Sequence, residues 1–250
     1  MNNTYFILFI NFIMHHTFLL LLLLSCTNGQ ITQFTIFGER CSGTNYIQNI
    51  MKMNFELDIT WQYGWKHHFG FNDFNDSDNT LFICIVREPY SWMNSFYQCK
   101  HHLPPELAMT PDHFLNNEFY SVNDNNDEII SDRNMYNGQR FKNIFELRHI
   151  KLKYMIETLP QLVKNYILIR YEDLLNDFDN VMNKIKKFDL PIIETINFPV
   201  NSKIDFKYGG YKQKKRFDNV ISKDQIYDHS DFNDKFEKML NYSKNDLVNA

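Results

Sequence analysis

The chain has 250 residues, 44% of them hydrophobic and 22% charged, ordinary proportions for a globular protein and enough length for one α/β domain with a sizeable core. A net charge of −4 argues against general nucleic-acid binding. The four cysteines, Cys26, Cys41, Cys84 and Cys99, show neither CxxC spacing nor a repeat, so they read as free thiols and not as a zinc cluster or a disulfide framework.

Residues 1–30 form a hydrophobic leader. Tyr5 to Cys26 is nearly all apolar and ends in "TFLLLLLLSC", long enough to cross a bilayer although Asn11, His15 and His16 interrupt it. It is either a secretory signal cut near Asn28 or Gly29 or an uncleaved membrane anchor. No Lys or Arg precedes it, which leaves its orientation undetermined. The expectation is membrane association or the secretory pathway, and a soluble cytoplasmic protein if the leader is not used. In a eukaryotic lumen, "NDS" at Asn75 and "NYS" at Asn241 would be glycosylation acceptors.

Residues 31–250 read as a single domain. Gln33 to Phe37 is a strand, followed by a turn and a helix over Gly43 to Met53. A short extended piece falls near Leu57 to Gln62, then the polar-aromatic "YGWKHHFGF" and the loop "NDFNDSDN". "TLFICIVR" is apolar and β-branched throughout, the mark of a buried parallel strand. "EPYSWMNSFYQC" carries Pro at a first helical position and reads as a helix. Leu103 to Asn137 is an irregular excursion. "FKNIFELRHIKLKYMIETL" is a long helix, and Arg148 and Lys151 share one of its faces, turned either to the site or to water. "NYILIRYEDLL" is a strand entering a helix that "VMNKIKKF" continues, with Glu172 and Asp173 placed to cap it. A last helix spans Lys223 to Leu240. Strands alternating with helices predict a three-layer α/β domain on a mostly parallel sheet.

The segment "FGERCSGTN" joins the first strand to its helix. Unpaired amides and the helix dipole attract an anion there. Arg40 adds charge, Ser42 and Thr44 add hydroxyls, and Gly43 lets the backbone approach. The ligand read from this is a phosphate or a related oxyanion; a capped helix start without ligand is the competing reading. Gly38 and Gly43 have the Walker A glycine spacing, but Thr44 stands where that motif requires Lys, which disfavours an ATP- or GTP-hydrolysing site. Arg87 ends a core strand and Ser95 follows eight residues later. Ligands of open parallel sheets bind beyond the carboxyl ends of the strands, and the arginine fork suits a phosphate.

These segments together resemble the sulfotransferases that use 3′-phosphoadenosine 5′-phosphosulfate (PAPS). "FGERCSGTNYI" is similar to the family's P-loop-like 5′-phosphosulfate loop, and "VREPYSWMNSFY" to its 3′-phosphate element. "WKHHF" resembles its Lys-x-His-Leu segment, "ILIRYEDLLND" a further strand-to-helix segment, and "FKYGGYKQKKRF" its Gly-containing basic loop. The resemblance implies a PAPS cofactor, with Arg40, Cys41, Ser42, Gly43, Thr44 and Asn45 at its 5′ end and Arg87 with Ser95 on its 3′-phosphate. It implies His68 as general base, with His67 as the rival, Lys66 beside the transferring group, and no metal. It implies an acceptor hydroxyl or amine on a carbohydrate, protein or small molecule, the leader favouring the first two. In the family a Lys directly precedes Ser-Gly-Thr; here that position is Cys41, so the leaving-group cation falls to Arg40 or Lys66. The alternatives are a P-loop nucleotide or phosphate kinase and a catalytically impaired nucleotide-binding protein. The cluster Lys212, Lys214, Lys215 and Arg216 reads as a solvated basic loop or a further anion contact.

Overall fold

The alternating run before the Gly38 turn forms strand β1 (Gln33–Phe37), and the apolar positions after the turn form helix α1 (Thr44–Asn54). The structure is a computed structural model that describes residues 30–194, 198 and 219–244. The expected leader and the basic cluster at Lys212–Arg216 lie outside the described residues. Among the described residues no helix is long and apolar enough to cross a membrane.

Strands β2 (Asp58–Ile59), β3 (Thr80–Val86) and β4 (Tyr166–Arg170) complete a four-stranded sheet in the order β2-β1-β3-β4. Every pairing is parallel, with Thr35 opposite Phe82 and Ile83 opposite Ile167. All seven residues of β3 are buried, as a central parallel strand requires. Phe34, Ile36, Ile83 and Ile85 point to one face, against Ile47 and Ile50 of α1. Phe37, Phe82, Cys84 and Val86 point to the other, against Leu152, Met155 and Leu159. Apolar packing on both faces satisfies the expected layering of an α/β domain.

Helix α2 (Pro89–Cys99) begins at Pro89 as read from the sequence, with the Glu88 carboxylate accepting the amides of Tyr90 and Ser91 at 2.8 and 2.7 Å. The excursion after it contains helix α3 (Pro111–Asn116) and a 3₁₀ turn at Ile130–Asp132. Its Phe114, Phe119 and Leu107 build a third apolar cluster with Trp92 and Phe96 of α2, so this stretch is ordered by its own core. The long helix is α4 (Ile144–Lys153), a π turn over Tyr154–Thr158, and α5 (Leu159–Leu162).

Two expected helices are each split. Helices α6 (Tyr171–Asn176) and α7 (Phe178–Lys186) part at Asp177, whose φ of −141° and ψ of 48° leave the helical region. Its carboxylate accepts the Asn180 side-chain amide at 2.9 Å. The stretch expected as one helix over Lys223 to Leu240 forms α8 (Lys223–Tyr227), opened by a Ser222–Gln225 capping box, and α9 (Lys235–Met239). The "DHSDFND" between them is rich in residues that prefer turns to helix interiors. Helix α6 carries no side-chain cap. Glu172, expected to cap it, accepts the Glu88 amide at 3.0 Å and the Tyr242 hydroxyl at 2.7 Å.

Candidate anion site

The turn after β1 is held by close contacts. The amide and hydroxyl of Ser42 both donate to the Glu39 carbonyl, at 3.1 and 2.7 Å. Gly43 has a φ of 100°, a region that only glycine enters without strain. A Cβ on it would lie 2.4 Å from the Tyr171 ring, and one on Gly38 would lie 2.7 Å from the Ile85 carbonyl. Both glycines therefore let the turn sit directly on the sheet. No side chain caps α1, and an uncapped N-terminus keeps amide donors and dipole for an anion.

Arg87, at the carboxyl end of β3, reaches this turn. Its Nη1 donates to the Cys41 carbonyl at 3.0 Å, and its guanidinium lies 4.9 Å over the Tyr171 ring. Its Nε is buried with no hydrogen-bond partner among the described residues. Asp173 pairs with Arg170 at 3.6 Å and is not a partner of Arg87. Ser95 is half-buried on α2, and no hydrogen bond among the described residues ties it to the turn.

The "KHH" segment crosses the end of β1. The Gly38 amide donates to the Lys66 carbonyl at 3.0 Å, and His67 Nδ1 donates to the Gly38 carbonyl at 2.6 Å. Burial, reinforced by the charges of Arg40, Lys66 and Lys151, depresses the His67 pKa well below its ordinary value. The ring is therefore neutral at pH 7, with its proton on Nδ1. His68 Nδ1 lies 3.1 Å from the Ser131 hydroxyl, and its buried Nε2 has no partner among the described residues. Burial lowers its pKa too. Lys66 donates to the Asn45 side-chain oxygen in the first turn of α1, and burial lowers its pKa.

Arg40 is directed elsewhere. Its Nη1 donates to Asp132 at 2.7 Å, and both side chains are buried. Lys151, 1% exposed, donates to Glu39, to Asp132 and to the His67 carbonyl. Burial would raise the Asp132 carboxyl pKa; the Lys151 and Arg40 charges outweigh it and hold the pKa well below the usual carboxylate range. Arg148 pairs with buried Glu237 and donates to the Arg87 carbonyl at 2.9 Å. Arg148 and Lys151 thus do not face water. With Glu39, Ser42, Arg87 and Trp92 they line a narrow cleft under the turn.

The structure brings Arg40, Cys41, Ser42, Gly43, Thr44, Asn45, Lys66, His67 and Arg87 into one contact network. Sequence reasoning missed Asp132 and Glu39. Asp132 lies in a stretch without a motif, and its role depends on two cations distant in sequence. Cys41, at φ 64°, packs against the cluster around Trp92. Among the described residues there is no group of His, Cys, Asp or Glu able to hold a metal ion. Comparison with protein-family models, curated proteins and solved structures finds no match to this chain.

Proposed function

We propose that the protein is a PAPS-dependent sulfotransferase whose P-loop-like turn holds the 5′ end of the nucleotide and whose Arg87 holds the 3′-phosphate. One observation carries this reading: the Arg87 guanidinium and the Ser42–Thr44 turn lie at the same end of the sheet, joined at 3.0 Å through Cys41. The residues fit an anionic group. The uncapped start of α1 and the orphaned Nε of Arg87 leave donors where an anion would lie.

PAPS supplies the sulfuryl group that an acceptor hydroxyl or amine takes up. The amides at the start of α1 with Thr44 and Asn45 bind the 5′ end, Ser42 shapes the turn through its two bonds to the Glu39 carbonyl, and Arg87 with Ser95 binds the 3′-phosphate. His68 takes the acceptor proton. Its lowered pKa keeps it in the free-base form at neutral pH, and general-base help is worth about 10²–10⁴-fold. Lys66, held on Asn45 at the start of α1, supplies the cation that Cys41 cannot. Arg40 is committed to Asp132, so it acts by holding the turn in shape.

The commitment of Arg40 and the thiol at Cys41 favour a second reading, a nucleotide-binding protein with impaired chemistry. Two measurements separate the readings. The desulfated cofactor PAP raises the melting temperature and ATP does so much less; the reverse order would favour a kinase. Radiolabelled sulfate transfers to an acceptor panel with wild type and not with His68→Ala. Equal transfer by both proteins removes His68 from its role, and PAP binding without any transfer selects the impaired protein.

A further inference from the structure

Two tryptophans stand at the β2 side of this site. The chain leaves β2 and makes two successive turns, closed by the Gly64 amide on the Trp61 carbonyl at 3.1 Å and the His68 amide on the Trp65 carbonyl at 2.8 Å. Between them Gly64 takes a φ of 100°. Tyr63 and His67 point inward; Tyr63 is 1% exposed and its hydroxyl donates to the Asp76 carbonyl at 2.9 Å. The alternation turns Trp61 and Trp65 outward with ring centroids 4.7 Å apart, Trp65 being 45% exposed. An exposed indole beside a second one is a large apolar surface. Lys66 Nζ lies 5.4 Å from the Trp65 ring while donating to Asn45. The indole pair is therefore continuous with the first turn of α1.

The sheet order fixes which side this is. Across the carboxyl ends, β2-β1-β3 places the Trp61–Trp65 pair, then the Ser42–Thr44 turn, then Arg87. A nucleotide running from the turn toward Arg87 extends away from the indoles. We infer that Trp61 and Trp65 form the acceptor platform and that the acceptor is a carbohydrate whose pyranose C–H face stacks on them, with Lys66 beside it. The inference rests on the sulfotransferase reading for its orientation. A pyranose fits better than a phenol because the platform is open, with Trp65 nearly half exposed and Gln62 exposed beside it, whereas a phenol gains most from an enclosed apolar slot.

The test uses the full chain, wild type and Trp65→Ala, with Trp65→Phe as the conservative control. Tryptophan fluorescence is titrated with chitotetraose, cellotetraose and 4-nitrophenol, and PAP binding is followed by thermal shift. The expected result is an oligosaccharide-dependent spectral change that Trp65→Ala weakens by about 10-fold and Trp65→Phe restores in part. The PAP shift stays equal in all three proteins. Where transfer is measurable, Trp65→Ala raises acceptor KM by a larger factor than it lowers kcat. Loss of the PAP shift in Trp65→Ala would make the pair a nucleotide platform and overturn the inference. So would binding of the phenol in place of the sugars, or PAP binding with no oligosaccharide response. Oligosaccharide binding with no PAP shift in wild type would instead overturn the sulfotransferase reading and leave the sugar platform standing.

Discussion

The Arg87 guanidinium donates to the Cys41 carbonyl at 3.0 Å, so the carboxyl end of β3 and the turn after β1 share one charged contact. The arginine is half-buried, and its own carbonyl is fixed by Arg148 at 2.9 Å. A cation held on both sides in this way is preorganised for an anion on the turn. Arg87→Ala removes a charge-assisted hydrogen bond, whose loss is worth about 1.5–3 kcal/mol, so PAP affinity should fall about 10- to 100-fold. Arg87→Lys should recover only part of it, because an ammonium lacks the planar fork. Calorimetric titration of the three proteins with PAP measures this, and equal affinities would remove Arg87 from the site.

Asp132 answers two buried cations, Arg40 at 2.7 Å and Lys151. Asp132→Asn leaves both without their shared carboxylate. Breaking a buried pair costs about 3–5 kcal/mol, so urea denaturation should show a loss of that size. A loss under about 1 kcal/mol, the range of a surface pair, would mean that the network does not hold the turn.

The strand, turn and helix beginnings were legible because their signals are local. Gly38 and Gly43, Pro89 and the apolar run over Thr80–Val86 each act through backbone geometry or burial within a few residues. The site's cations were legible as types but not as partners. Arg40 reads as a ligand contact from the sequence because a turn arginine beside Ser42 carries no sign of Asp132, which arrives from 92 residues away. The sequence leaves Lys151 and Arg148 between site and water, because a helix face does not reveal the carboxylates Glu39 and Glu237 that neutralise them. The split at Asp177 is hidden because the apolar spacing of Leu174, Phe178 and Val181 continues across it, whereas the break between α8 and α9 does carry a local signal, the polar run Asp228 to Asp231, which a helix drawn from Lys223 to Leu240 passes over.

The histidines give the protein a pH-dependent stability. Burial holds His67 well below its ordinary value, and His68 is lowered for the same first reason. Between those depressed values and the unfolded value near 6.5, the unfolded chain binds protons that the folded one does not. Stability is therefore fully present above about pH 6.5 and is lost as the pH falls through that window, with a slope of at most about 1.4 kcal/mol per pH unit for each histidine. Denaturant midpoints at pH 7.5 and 5.0 should differ accordingly. His67→Gln, which keeps a donor for the Gly38 carbonyl, should flatten the dependence. An unchanged slope in that variant would show that His67 is not the titrating group.

Lys66 and Arg40 separate by their partners. Arg40 is 2% exposed and paired with buried Asp132, so Arg40→Met should lower stability by taking one of the two cations from Asp132, which keeps Lys151, a loss of about 1.5–3 kcal/mol for a hydrogen bond to a charged group. Lys66 contacts Asn45 and the Trp65 ring, neither of them a carboxylate, and Lys66→Met strands no charge. It should therefore keep the melting temperature within a few degrees and keep PAP affinity, while sulfate transfer falls by about 10²-fold or more, the loss typical of removing one charge-stabilising group from a reaction site. Thermal denaturation and single-turnover transfer on the two variants make the comparison. If Lys66→Met transfers sulfate at the wild-type rate and stable Arg40→Met does not, the leaving-group cation is Arg40, and its pairing with Asp132 must open when the nucleotide binds.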